Sequence, residues 1–118
     1  MLGPVFAALA LFIIDAERFF GIRDGILKQI YEENRALWHE LGRPSGRLWR
    51  PQGEKSYVGA YYNQELWRRG SKIEQFSPAK PKYEQMRRLG RRILAADIPI
   101  LLTVMFLWAF ISSHHLHN

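Results

Sequence analysis

A chain of 118 residues provides at most one domain of ordinary size. It contains 17 Lys and Arg against 11 Asp and Glu, a net charge of +6, and every basic residue lies between Arg18 and Arg92. The polar middle therefore favours anionic neighbours, which include lipid headgroups, nucleic acid and acidic protein faces. Because the chain has no cysteine, disulfide scaffolds, thiolate nucleophiles and Cys-ligated zinc or iron–sulfur centres are excluded.

The N-terminal apolar segment predicts a first membrane helix over residues 1–22. Residues 2–14 form an uncharged run of thirteen residues, which as a helix is roughly 20 Å long and short for a bilayer. Extension to Ile22 supplies the missing length if three charged residues lie in the headgroup layer, Asp15, Glu17 and Arg18. Phe19 and Phe20 then anchor the interfacial end. The alternatives are a helix half inserted or buried against a partner, and a signal peptide, against which the lack of a basic leading segment argues.

Residues 23–80 form a polar middle that the sequence predicts as amphipathic helices and loops on the cytoplasmic side. Apolar side chains recur at helical spacing over residues 16–41, namely Phe19, Ile22, Ile26, Ile30, Leu37 and Leu41. Gly42 is predicted to cap this helix, and Pro44 to keep it from resuming.

A loop rich in Pro, Gly and Ser separates this helix from the next predicted elements. Residues 57–69 are predicted as a short helix capped by Gly70, after which "SPAKPK" breaks the chain again. Pro81 suits the first position of a helix over residues 81–112, which leads into a second membrane span.

Four large aromatic side chains of the middle are predicted to contact a partner or the lipid surface, Trp38, Trp49, Tyr61 and Trp67. Rings with a polar tip suit both surroundings equally. A self-contained core is the less favoured interpretation, because so short and charged a segment buries little surface by itself.

The C-terminal apolar segment predicts the second span. Residues 93–111 carry a single charge over nineteen residues, a helix of roughly 28 Å that matches the hydrocarbon thickness of a bilayer. Four arginines precede it, Arg87, Arg88, Arg91 and Arg92. They are predicted to bind anionic lipid and to hold the middle in the cytoplasm, with a polar tail over residues 113–118. The predicted fold is an all-α membrane helical hairpin with both termini on the outer side.

An aspartate near the inner end of each apolar segment predicts a polar contact between the two helices. Antiparallel spans bring Asp15 and Asp97 to similar depths, with Arg18 and Arg92 as the candidate cations. We favour an ion pair that fixes helix packing over a proton or cation site, because neither carboxylate lies at the bilayer centre. Pro99 is expected to kink the second helix one turn earlier.

The sequence carries no signature of catalysis, a cofactor or a metal centre, and none is expected. Its glycines stand apart rather than in a phosphate loop, and His39-Glu40 has no second histidine at zinc-protease spacing. Neither span contains a histidine that could hold a haem.

Three terminal histidines form either a metal site or, as we favour, a polar end that stops the helix from sliding into lipid: His114, His115 and His117. Nucleic acid is not expected as a partner, since the arginines adjoin a membrane helix and alternate with glutamate.

Two short strings and the order of the segments suggest a known type of membrane protein. The short apolar N-terminal segment is followed by "RFFGIR", by "LWHELGRPS" over residues 37–45, by the basic middle and by the C-terminal span. In this order the chain resembles the universal stress protein B family of small two-span bacterial proteins. The resemblance implies an inner-membrane hairpin, and it supplies no catalytic residues.

The predicted function is that of a non-catalytic accessory or stabilising subunit of a larger integral-membrane complex. Two helices would pack on the edge of the complex, and the aromatic, basic middle would clamp a polar face of a partner subunit. The alternative is a free-standing stress-related or scaffold protein whose basic middle binds anionic lipid. A third hypothesis, ranked last, is ion or proton handling through Asp15 and Asp97.

Overall fold

The chain is helical throughout the part that the structure describes. The computed structural model describes the backbone of residues 2–116 and the side chains of residues 2–113, so the tail histidines lie outside the described side chains. Its elements in chain order are α1 (Leu2–Glu33), α2 (Arg35–Glu40), α3 (Val58–Tyr61), α4 (Gln64–Trp67), α5 (Lys72–Gln75), a 3₁₀ turn (Ser77–Ala79), α6 (Lys80–Arg92), a π-helical turn (Ile93–Asp97) and α7 (Ile98–Leu116). No strand forms within these residues, which confirms the prediction of an all-α fold.

The chain divides into two compact units. The terminal unit consists of Met1–Arg18 together with Arg88–Asn118, and the central unit consists of Phe19–Arg87. Each unit contains part of α1 and part of α6, because both helices run across a unit boundary.

One helical stretch of the described chain, Ser77–Ser113, contains a segment long and apolar enough to cross a membrane. Only 6% of that segment is buried inside the protein, which supports a membrane location. The α1 helix does not meet the same criterion, because its apolar run reaches Asp15, Glu17 and Arg18 after thirteen residues. The described residues thus contain one candidate span where the sequence predicted two.

The first long helix is interrupted at Asn34, so the prediction of one helix as far as Leu41 is wrong. α1 ends at Glu33, and Asn34 leaves the helical conformation with a φ of −146°. Its side-chain oxygen accepts a hydrogen bond from the backbone N–H of Leu37 at 3.1 Å, and it thereby caps α2. A short amide side chain can compete in this way for backbone hydrogen bonds, which the spacing of apolar residues does not reveal.

The predicted cap at Gly42 is confirmed. Gly42 has a φ of +92°, and its N–H donates to the carbonyl of His39 at 3.1 Å. The N–H of Arg43 donates to the carbonyl of Trp38, also at 3.1 Å. These two bonds form the Schellman motif, which satisfies carbonyls at a helix end. A residue with no side chain adopts the required positive φ without strain.

The helix predicted over residues 57–69 is in fact two single turns, α3 and α4. Asn63 separates them, and its side chain accepts a hydrogen bond from the N–H of Glu65 at 3.1 Å. A further turn, α5, was not predicted; Ser71 begins it by accepting from the N–H of Glu74 at 3.4 Å. Short polar side chains cap the first residues of both α4 and α5, as they commonly do at helix N-termini.

The central unit has a core of its own, which the sequence did not favour. Its buried residues are Ile26, Leu27, Ile30, Trp38, Tyr61, Trp67, Ile73, Ala79, Tyr83 and Met86. The indole N–H of Trp38 donates to the carbonyl of Pro44 at 3.0 Å, and that of Trp67 donates to the carbonyl of Tyr61 at 2.8 Å. Because large rings supply much of the volume and their polar tips are paired, a short segment suffices.

At the position of the predicted kink, one turn before Pro99, the structure has the π-helical turn. The N–H of Ile98 donates to the carbonyl of Ile93, five residues earlier rather than four. Pro99 has no N–H to donate, and its ring would clash with the carbonyl one turn earlier in a regular helix. The wider turn relieves this conflict without ending the helix.

Candidate functional site

The terminal unit buries two carboxyl groups next to each other. Asp15 in α1 and Asp97 at the end of the π-helical turn are each 1% exposed. Their carboxyl groups are close enough to interact directly. The fold therefore brings together the two aspartates that lie far apart in the sequence, and we refer to Asp15 and Asp97 as the carboxyl pair.

Two arginines lie beside Asp15. The Nε of Arg92 is 3.3 Å from Oδ2 of Asp15, and the Nη1 of Arg18 is 3.9 Å from Oδ1. The Arg92 contact is an ion pair without hydrogen-bond geometry, since Oδ2 of Asp15 accepts no hydrogen bond from a described residue. Both arginine side chains are more than half exposed, so solvent or headgroups screen their charges.

Asp97 differs from Asp15 in its polar contacts. Within the described chain, neither of its carboxyl oxygens accepts a hydrogen bond, and no Lys or Arg forms an ion pair with it. A buried acceptor without a donor costs about 1–3 kcal/mol, and a charged one costs more. The two carboxyl groups thus have unequal surroundings. Asp15 contacts two arginines, whereas both oxygens of Asp97 lack a hydrogen-bond donor in the described chain.

The π-helical turn places Asp97 in this position. A turn with one extra residue changes by roughly 100° the direction in which the following side chains leave the helix. Such turns occur frequently at functional positions. The arrangement suits two roles: an ion pair that fastens α1 to the second apolar helix, and a site where two carboxyl groups share a proton.

The aromatic side chains predicted to contact a partner or lipid lie mostly inside the central unit. Trp38 and Tyr61 are fully buried, and Trp67 is 2% exposed. Trp49 is partly buried and packs against this core. We therefore correct the prediction for Trp38, Tyr61 and Trp67, since the folded chain does not present these rings to a partner.

The arginines before α7 differ in their surroundings. Arg87 belongs to the central unit and is partly buried, whereas Arg88 and Arg91 belong to the terminal unit and are exposed. Exposed guanidinium groups beside an apolar helix suit anionic headgroups.

Arg23, for which no prediction was made, is the most buried arginine of the central unit. It is 8% exposed, and its guanidinium carbon lies 4.5 Å from the ring centre of Phe19 and 4.6 Å from that of Trp67. Burial lowers the pKa of Arg23. Its spacing could have indicated this burial. Arg23 lies four residues after Phe19 and three before Ile26, which places it on the apolar face of the helix.

Asp24 is a second residue without a sequence prediction. Its carboxylate accepts hydrogen bonds from the backbone N–H groups of Arg47 and Leu48, each at 2.9 Å. The partners are backbone groups of a distant loop, so no pattern of side chains indicates them. This contact attaches the loop after α2 to α1.

The structure also bears on metal binding. In the part of the chain with described side chains, no group of three or more His, Cys, Asp or Glu is placed to hold a metal ion.

Comparison with known proteins gives no match. No family model matches the chain, and no curated protein or solved structure is significantly similar to it. The resemblance to the universal stress protein B family therefore stays a prediction.

Proposed function

We propose that the chain is a non-catalytic accessory or stabilising subunit of a larger integral-membrane complex. The observation that carries this proposal is the apolar surface of α7. Leu102, Phe106 and Phe110 follow one another at four-residue intervals and are 60%, 71% and 62% exposed. Leu107 and Ile111 add a second exposed stripe. An apolar surface of this extent marks contact with a membrane or with another protein.

The proposal includes α1 as a second span. The helical residues 2–22 give a length of about 32 Å, which matches the thickness of a bilayer core. Asp15 is the first charge after the apolar run, and it faces Asp97 and Arg92 rather than lipid. A charged side chain that pairs with another group between two helices costs less free energy in a membrane than one that faces the acyl chains.

The orientation of this hairpin follows from its basic residues. Exposed arginines, Arg88 and Arg91 among them, adjoin the inner end of the second span. Basic residues next to a span are retained in the cytoplasm. The polar middle is thus proposed to lie in the cytoplasm and both termini on the outer side of a bacterial inner membrane.

Contact with a partner subunit is assigned to the exposed apolar side chains of the central unit. Leu48 is 80% exposed, Tyr57 and Tyr62 are each 54% exposed, and Val58 is 46% exposed. Aromatic side chains of this kind are enriched in protein interfaces. These residues replace the buried rings as the proposed clamp on a partner.

Extraction from the native membrane in mild detergent, followed by mass spectrometry, tests the accessory role. We expect stoichiometric recovery of the full chain with one defined assembly. The double variant Leu48→Ala/Tyr62→Ala should reduce that recovery about tenfold, a loss of about 1.4 kcal/mol of binding. Lys55→Ala, an exposed residue of the same region, is the matched control and should change nothing. Recovery of the wild-type chain alone, or with lipid only, would contradict the proposal.

The second candidate is a free-standing stress-related or scaffold protein whose basic middle binds anionic lipid. The exposed Arg88 and Arg91 favour it. Binding of the middle to anionic vesicles should then weaken as salt rises, because screening shortens the range of charge attraction. A partner held by apolar burial at Leu48 and Tyr62 would resist the same salt.

A further inference from the structure

We propose that Asp15 and Asp97 form a binding site for a single proton, which the two carboxyl groups share between α1 and the π-helical turn. This site is independent of the accessory role, because it needs no partner subunit. The proton is the ligand of the carboxyl pair, whereas an ordinary ion pair between two helices needs no bound proton.

The first argument is the lack of donors at Asp97. The residue is 1% exposed, and neither of its oxygens accepts a hydrogen bond from a described residue. Yet its carboxyl group is within interaction range of Asp15. Two ionised carboxylates cannot hydrogen-bond to each other, because both only accept. When one of them binds a proton, its O–H can donate a hydrogen bond to an oxygen of the other.

The second argument is the balance of charge. Two ionised carboxyl groups in direct interaction repel each other, and burial of both side chains leaves little water to screen the repulsion. Arg92 at 3.3 Å and Arg18 at 3.9 Å both contact Asp15, and neither forms an ion pair with Asp97. Binding one proton leaves a single negative charge on the pair, which these arginines are placed to balance.

Within the described residues, the ion pairs at this site come from α6 and α1. The end of α6 contributes Arg92, and α1 contributes Asp15 and Arg18. The α7 helix, which continues from the π-helical turn, contains no Asp, Glu, Lys or Arg. The proton therefore lies where two carboxyl groups meet, with Arg92 in ion-pair contact with Asp15 and acting on Asp97 only from beyond ion-pair distance.

Infrared spectroscopy of the full-length chain in liposomes tests the site. At neutral pH we expect a C=O stretching band of a protonated carboxylic acid that shifts in heavy water. Asp15→Asn and Asp97→Asn should each abolish the band, because the amide N–H donates where the proton was and the remaining carboxylate ionises. Glu17→Gln, an exposed residue of the same helix, should keep it. A wild-type chain without the band, or a band that survives in either Asn variant, would overturn the proposal.

A second measurement does not depend on how the variants fold. A lipid-soluble carbodiimide reacts with protonated carboxyl groups in apolar surroundings, so the wild-type chain in liposomes should be modified at Asp15 or Asp97. Peptide mass mapping should show that this modification falls as the pH rises, because the proton is then lost. Absence of modification at both residues across the same pH range would overturn the shared proton.

Discussion

Trp67→Ala should lower the free energy of unfolding by about 3–5 kcal/mol, the usual cost of removing a large buried ring. Trp67 is 2% exposed, its indole N–H donates to Tyr61 at 2.8 Å, and its carbonyl accepts from the hydroxyl of Tyr83 at 2.9 Å. The ring also covers the guanidinium of Arg23 at 4.6 Å. Truncation would therefore leave a cavity and expose a buried charge at once. Since small domains are stable by only about 5–15 kcal/mol, much of the central unit's stability would be lost.

Unfolding of the full chain in detergent, followed by near-ultraviolet circular dichroism, measures this effect. Tyr62→Ala is the matched control, because the Tyr62 side chain is also aromatic but 54% exposed. We expect the control to change the free energy of unfolding by less than about 1 kcal/mol. Equal losses in the two variants would mean that Trp67 is not part of a packed core.

Gly46→Ala should cost about 2–4 kcal/mol, although it adds only a methyl group. A Cβ at Gly46 would overlap Oδ1 of Asp24, closer than real Cβ atoms approach another atom. Asp24 cannot simply move away, because its oxygens accept the N–H groups of Arg47 and Leu48 at 2.9 Å. Displacing it breaks two hydrogen bonds to a charged group, which are stronger than neutral ones.

The same substitution at Gly59 is the matched control for Gly46→Ala. Gly59 lies in α3, and an added Cβ there would meet nothing within 4 Å. Gly59→Ala should therefore raise the free energy of unfolding by roughly 0.5–1 kcal/mol, because alanine restricts the unfolded chain. Thermal unfolding of both variants would show opposite shifts; a stabilising Gly46→Ala would contradict the described contact with Asp24.

Some of the fold could be predicted because it depends on local chemistry. The cap at Gly42 follows from the need for a positive φ where a helix ends. The missing N–H of Pro99 predicts an irregularity before it, although the expected form was a kink and the structure has a π-helical turn. The breaks at Asn34 and Asn63 were missed although their signal is local too. In both cases the apolar spacing suggested a continuous helix, and a side-chain cap interrupted it.

Other parts of the structure depend on contacts between distant segments. The aromatic core needs Trp67 to bind the carbonyl of Tyr61 and to cover Arg23, and no spacing rule joins these residues to α1. The backbone partners of Asp24 carry no side-chain signature. The pairing of Asp15 with Asp97 could be anticipated only by assuming two antiparallel spans, while the lack of donors at Asp97 required the structure.

The central claim is that both ends of the chain cross one membrane, and its test uses the absence of native cysteine. Single cysteines are introduced at three exposed positions, Gly3, Gln52 and Ser113, and labelled in spheroplasts with a membrane-impermeant maleimide. We predict that cysteines at residues 3 and 113 react in intact spheroplasts, while a cysteine at residue 52 reacts only after lysis. Labelling of residue 52 in intact spheroplasts to the same extent as residue 3, or labelling of residue 3 only after lysis, would place the two residues on one side and contradict the two-span account.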